Sequence, residues 1–175
     1  MALQIGHRIS FDFDLFSEEE IPKSLLAKVK RTFAGHSVVV SVNNPDELTI
    51  FVDGTKITFL YYPFPRIFEL SECEGVALLS VKEIAATKAY TVGRRGSYKD
   101  YIDLYFIISE GRSSIREIIE ISQNKYKDEF NARLFLEQLI YLEDTDDVDI
   151  QFLTKNVTKK ELRAFFEQKI AEFGL

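Results

Sequence analysis

Ile9, Phe11, Phe13 and Leu15 alternate with Ser10, Asp12, Asp14 and Phe16. That period of two predicts a half-buried strand with Arg8, Ser10, Asp12 and Asp14 on one face. The chain is therefore expected to open almost directly on a strand. Ser17 to Pro22 turns into a helix whose buried side is Leu25, Leu26, Val29 and Phe33, with Gly35 as its stop. The β-branched stretch Ser37–Val42 reads as a strand. Glu47–Val52 and Thr55–Tyr61 flank Asp53-Gly54, a two-residue hairpin signal. Pro63 and Pro65 end the sheet region, because proline cannot continue a ladder.

Beyond residue 75 the period changes from strands to helices. Ser80 and Glu83 form a capping-box pattern, with the Glu83 side chain placed to reach back to the helix start. That helix is predicted to run to Arg94, in a break bracketed by Gly93 and Gly96. Ser97 and Asp100 open a second helix that continues through Ser109, before Gly111. Ser114 and Glu117 open a third, and a longer one is predicted over Asp128–Tyr141. Thr158 and Glu161 open the last, with Leu162, Phe165, Phe166 and Ile170 as its apolar stripe. Strands first and helices after them imply an α+β fold. The organisation expected is a sheet region over 1–75 and a helical region over 76–175, packed as one continuous domain.

Composition narrows the class. The chain has 175 residues, 46% hydrophobic and 29% charged, which suits a globular protein with a real core. No apolar run reaches transmembrane length, and Met1 to Ser10 does not read as a secretory signal. One cysteine, Cys73, excludes a disulfide framework and a cysteine zinc site. A reducing, cytoplasmic setting fits, with no membrane partner. The formal charge of −6 excludes a basic whole-surface footprint for nucleic acid and leaves room for a local basic patch.

Two constellations carry candidate chemistry. Asp12 and Asp14 project from the same face of a strand, roughly 7 Å apart at Cα. Such a pair can share a hard divalent cation such as Mg²⁺, which keeps waters for substrate phosphates; by itself the spacing reads first as a solvated strand face. Arg8 and Ser10 share that face, the first able to hold a phosphate oxygen. The second constellation runs from Lys88 to Asp103. Asp100 and Asp103 are three apart on one helix and share a face, with Arg94, Arg95 and Lys99 between them and Lys88. These residues can form a plain ion-pair network, or Lys88 can neutralise a triphosphate that the carboxylates orient. The acidic run Glu143, Asp144, Asp146, Asp147 and Asp149 lacks the glycine and closing glutamate of an EF-hand and reads as a solvated loop. His7 and His36 lack metal-ligand spacing.

Taken together, Gly6-His-Arg-Ile-Ser-Phe-Asp-Phe-Asp-Leu-Phe-Ser17 and the block from Glu83-Ile-Ala-Ala-Thr-Lys88 through Arg94/Arg95 to Lys99-Asp-Tyr-Ile-Asp-Leu-Tyr105 resemble the AbiEii/AbiGii-type nucleotidyltransferase toxins of the polymerase-β-like nucleotidyltransferase superfamily. The resemblance implies a mixed nucleotidyltransferase-like sheet followed by a helical half. It implies transfer of a nucleotidyl group from an NTP, with Mg²⁺, to an acceptor such as tRNA or another RNA. It also implies a toxin role in a toxin–antitoxin or phage-defence system with a cognate antitoxin protein. By the same resemblance Asp12 and Asp14 are metal-binding and catalytic, and Lys88 and Asp100 are catalytic. Arg8, Ser10, Arg94 and Asp103 contact or orient substrate. The family's glycine-rich motif would lie before Met1. Where the superfamily usually carries a third carboxylate, this sequence offers Thr58 or Lys56, and Asp53 lies in a turn. A second reading follows from those departures: a non-catalytic homologue that acts as a binding module or is a gene remnant. Apolar surface left uncovered by a missing first helix makes a homodimer an expectation.

Overall fold

The computed structural model describes residues 1–143, 145 and 149–172. Three of the five acidic residues in the 143–149 run, Asp144, Asp146 and Asp147, lie outside the described residues. The chain divides into two compact units. One comprises Ser10–Pro65; the other joins Met1–Ile9 to Arg66–Leu175. The division differs from a single break at residue 75 because the first nine residues find their partners among the helices. The α+β class holds, with a mixed sheet in the N-terminal half and helices after it.

The unit Ser10–Pro65 contains β1 (Asp12–Ser17), α2 (Leu25–Thr32), β2 (Val38–Asn43), β3 (Glu47–Val52) and β4 (Thr55–Tyr61). The strand order is β1-β4-β3-β2. β1 runs parallel to β4, and the other neighbours are antiparallel. The parallel pair needs a crossover, which α2 and the β2–β3 hairpin supply. Register separates the two faces. Phe13, Leu15, Ile57, Phe59, Leu48, Ile50 and Val52 alternate onto one side. There Leu48, Ile50 and Val52 join Ile21 and Val29 in a core, with Leu25, Leu26, Phe33, Ile57 and Phe59 packed against it. The i, i+4, i+8 stripe of α2 is thus what covers this face. Asp53 and Gly54 both have positive φ (48° and 86°), the conformation a two-residue turn between β3 and β4 requires.

The other unit opens on α1 (Ala2–Ile5), not on a strand; Gly6 ends it with φ 71°. Residues 7–9 then pair with residues 151–153. The Ile9 amide donates to the Gln151 carbonyl and the Leu153 amide to the His7 carbonyl, with an antiparallel bridge between Arg8 and Phe152. Those partners draw Arg8 away from the β1 pattern that local alternation predicts. A short hairpin, β5 (Ser71–Cys73) and β6 (Val76–Leu78), precedes α3 (Val81–Arg95), α4 (Tyr98–Ser109), α5 (Ile115–Tyr126), α6 (Ala132–Leu139) and α7 (Lys159–Ala171). The single helix expected over 128–141 is broken. A 3₁₀ turn occupies Lys127–Glu129, and Asn131 starts α6 afresh by accepting from the Leu134 amide. Eight of the twelve residues of α4 are buried, including Asp100 and Asp103. A helix covered on nearly every side is central to its unit, so any charge it carries must be partnered.

Candidate functional site

The helical unit builds a charged network around Asp103. Arg8 approaches that carboxylate sideways, Nε to Oδ1 at 2.8 Å and its terminal amine to Oδ2 at 3.0 Å. His7, fully buried, donates from Nε2 to Oδ1 at 2.7 Å. Lys88, on α3, sits between Asp103 (2.9 Å) and Asp100 (2.6 Å). The i, i+3 spacing on α4 lets the two carboxylates straddle one ammonium. The second oxygen of Asp100 accepts from the amide and hydroxyl of Ser97, both at 3.0 Å, and so caps α4. Two cations face two carboxylates, so the cluster is neutral apart from His7.

Electrostatics follow from that packing. Burial alone would push Asp103 up; the Lys88 charge and the hydrogen bonds from His7 and Arg8 overcome it and hold Asp103 well below the usual carboxylate range. Burial would push Lys88 down, and the charges of Asp103 and Asp100 reverse this and hold it above its ordinary value. Burial, helped by Asp100, pushes the Tyr101 hydroxyl up to about 12. Bidentate pairing at this depth makes the network a rigid clamp of the N-terminal segment on α3 and α4. An anion arriving at Lys88 would have to displace a carboxylate.

Arg94 stacks on the Tyr90 ring, 3.6 Å from its centroid, and donates to the Glu129 carbonyl. Tyr90 in turn stacks on Tyr126 at 4.1 Å. Ser10 is exposed, just before β1. Asp12 and Asp14 are exposed on β1, on the sheet face opposite the core. Asp14 stands beside Thr58, and Thr58 beside Thr49; Asp12 stands beside Lys56. The strand next to β1 therefore presents a hydroxyl and an ammonium, not an acid. Asp53, in its turn, accepts from His36 at 2.6 Å and from the Ser37 amide. Among the described residues no group of three or more His, Cys, Asp or Glu side chains is placed to hold a metal ion. Two exposed carboxylates on one strand face nevertheless suit Mg²⁺ that arrives with a nucleotide, since that ion binds through one or two carboxylates plus phosphates.

Sequence reasoning missed two members of the helical unit's interior. His7 carried no local signal, because its partner is 96 residues away. Glu83 was expected to close a capping box. Ser80 does accept from the Glu83 amide, but the Glu83 carboxylate turns away. It accepts from the Ile67 and Phe68 amides, each at 3.0 Å, and pairs with buried Lys125. A tertiary partner outcompetes the local one because a buried Lys125 without an anion would be costly.

The α+β fold is similar to that of solved proteins. A crystal structure described as a "putative nucleotidyltransferase" from H. pylori superposes with a TM-score of 0.53 at 16% identity, over 99% of this chain and 84% of that one. The structure of JHP933 from Helicobacter pylori gives 0.45 at 13% identity, over 95% and 81%. An uncharacterized protein from Aquifex aeolicus is 26% identical over 180 residues, which span 99% of this chain and 84% of that protein. No family model matches. Among the described residues no helix is long and apolar enough to cross a membrane.

Proposed function

We propose that the chain is a nucleotidyltransferase that takes Mg-NTP at Asp12 and Asp14 and passes the nucleotidyl group to an acceptor such as tRNA or another RNA. In that reaction an acceptor oxygen bonds to the α-phosphorus and the bond to pyrophosphate breaks. We place it as the toxin of a cytoplasmic toxin–antitoxin or phage-defence pair held in check by an antitoxin protein. The observation that carries the reading is a contrast of two acid pairs. Asp100 and Asp103 are buried and consumed by Lys88, Arg8 and Ser97, whereas Asp12 and Asp14 are exposed together on one sheet face. Mg²⁺ would be held there and would screen the phosphates. Within the helical unit, Arg8 and Asp103 hold the N-terminal segment. Titration calorimetry with Mg-NTP, wild type against Asp12→Ala/Asp14→Ala, tests the claim. Heat in the wild type and none in the double variant supports it; equal heats overturn it.

A second reading is favoured by Thr58 beside Asp14 and by the double clamp on Lys88: a non-catalytic binding module of the same fold. Incubation with labelled NTP and RNA separates the two. Label in RNA belongs to the transferase, and binding without label in RNA belongs to the module.

A further inference from the structure

The geometry points to the outer edge of β1 as the docking site of an extended segment from a partner protein, one that alternates apolar and basic side chains. β1 is the terminal strand of its sheet, and among the described residues no strand pairs with its far side. Phe11, Phe13 and Leu15 are 63%, 52% and 46% exposed. Asp12 and Asp14 point to the opposite face. An exposed edge that is this apolar is a template for strand addition, and proteins ordinarily blunt such edges with lysine, proline or a bulge. β1 has no lysine, proline or bulge, and its register with β4 is unbroken from Asp12 to Ser17; its charges are Asp12 and Asp14, both acidic.

Two registers argue against a second copy as the occupant. If β1 paired antiparallel with its own copy about Phe13, Asp12 would lie opposite Asp14 twice over, and like charges directly opposite are destabilising. A slip by one residue would put each Asp opposite a Phe or Leu and mix the two faces. A strand that places Lys or Arg beside Asp12 and Asp14, and apolar residues beside Phe11, Phe13 and Leu15, matches the acidic character of one face and the apolar character of the other. Main-chain hydrogen bonds would supply affinity and the alternating side chains specificity.

This deepens the proposed function and rests on it in one respect: basic side chains on Asp12 and Asp14 would exclude Mg-NTP, so the docked segment would act as the inhibitor of that site. The probe is a fluorescein-labelled nonapeptide of alternating valine and lysine, titrated into the full chain by anisotropy. Controls are an alternating valine–glutamate peptide, a peptide of the same composition with its lysines in one block, and a version N-methylated at every second residue. Expected are binding of the alternating basic peptide alone, at least tenfold loss on N-methylation and in Asp12→Asn/Asp14→Asn, and slowed amide exchange confined to β1. Equal binding of the blocked peptide, or protection elsewhere, overturns the inference. So does sedimentation that shows a dimer abolished by Phe13→Lys, which would make a second copy the occupant. Peptide binding in a chain that takes up no Mg-NTP leaves the docking edge standing and removes the transferase. Mg-NTP uptake without peptide binding does the reverse.

Discussion

The two acid pairs of this chain have the same residue types and opposite fates. On α4 the carboxylates of Asp100 and Asp103 turn inward and are neutralised by Arg8 and Lys88. On β1 those of Asp12 and Asp14 face water. Burial decides the difference. A charge on a helix covered nearly all round is retained only with a full set of partners. A charge on an exposed edge strand is solvated and has no such requirement. Charged residues near one another are therefore better sorted by where the backbone puts them than by their spacing in sequence.

Variants can break that contrast. Asp103→Ala removes the carboxylate that Arg8, His7 and Lys88 share, leaving Asp100 as the acid beside Lys88. A loss of about 3–5 kcal/mol is expected in urea unfolding, and a loss under about 1 kcal/mol would show the network to be ornamental. Leu48→Ala, in the core beneath the β1 sheet, should cost about 2–5 kcal/mol by the same measurement, and sets the scale for packing without charge. Gly54→Ala, at φ 86°, should cost about 1 kcal/mol through strain in the turn. Asp12→Asn/Asp14→Asn should change stability by less than about 0.5 kcal/mol while removing the heat of Mg-NTP binding. Marked destabilisation there would place these carboxylates in the same class as Asp103.

Alkali sharpens the same contrast. Lys88 is held above its ordinary 10.5 and Tyr101 above its ordinary 10.0, reaching about 12. Each group's contribution is complete below its ordinary value and is lost as pH rises through the folded-state value. Asp103, held below 3.8, contributes above that value, and the contribution is lost only as pH falls through its lower folded-state value. Thermal melting should therefore show a plateau between these limits and a fall above pH 10 that Lys88→Met lessens. No change in the alkaline limb on that substitution would mean Lys88 does not report the network.

Much of the fold was legible. β3 and β4 match their alternation to the residue, since the Asp53-Gly54 turn fixes the hairpin locally. The helix starts at Ser80, Ser97, Ser114 and Thr158 are all observed as N-caps, because a cap is a contact within four residues. Illegible were features set at long range. Arg8 reads as a strand residue until its partner 95 residues on is in place, and Glu83 reads as a cap until Lys125 arrives. The candidate site divides in the same way: Asp12 and Asp14 were visible as a pair on one face, while the lock on Lys88 belongs to the tertiary structure.

The bridge between Arg8 and Phe152 has a consequence in time. Residues 7–9 leave the ribosome long before their hydrogen-bond partners at 151–153 are made. Ser10–Pro65 is continuous and completes its core from residues already synthesised, so it can fold early. The helical unit must wait for residues 151–153 to complete this pairing, and closing so long a loop is slow. During that interval the backbone of residues 7–9 lacks its partners on 151–153. A nascent chain stalled before residue 150 should consequently protect Ser10–Pro65 from protease and leave the first nine residues open to cleavage.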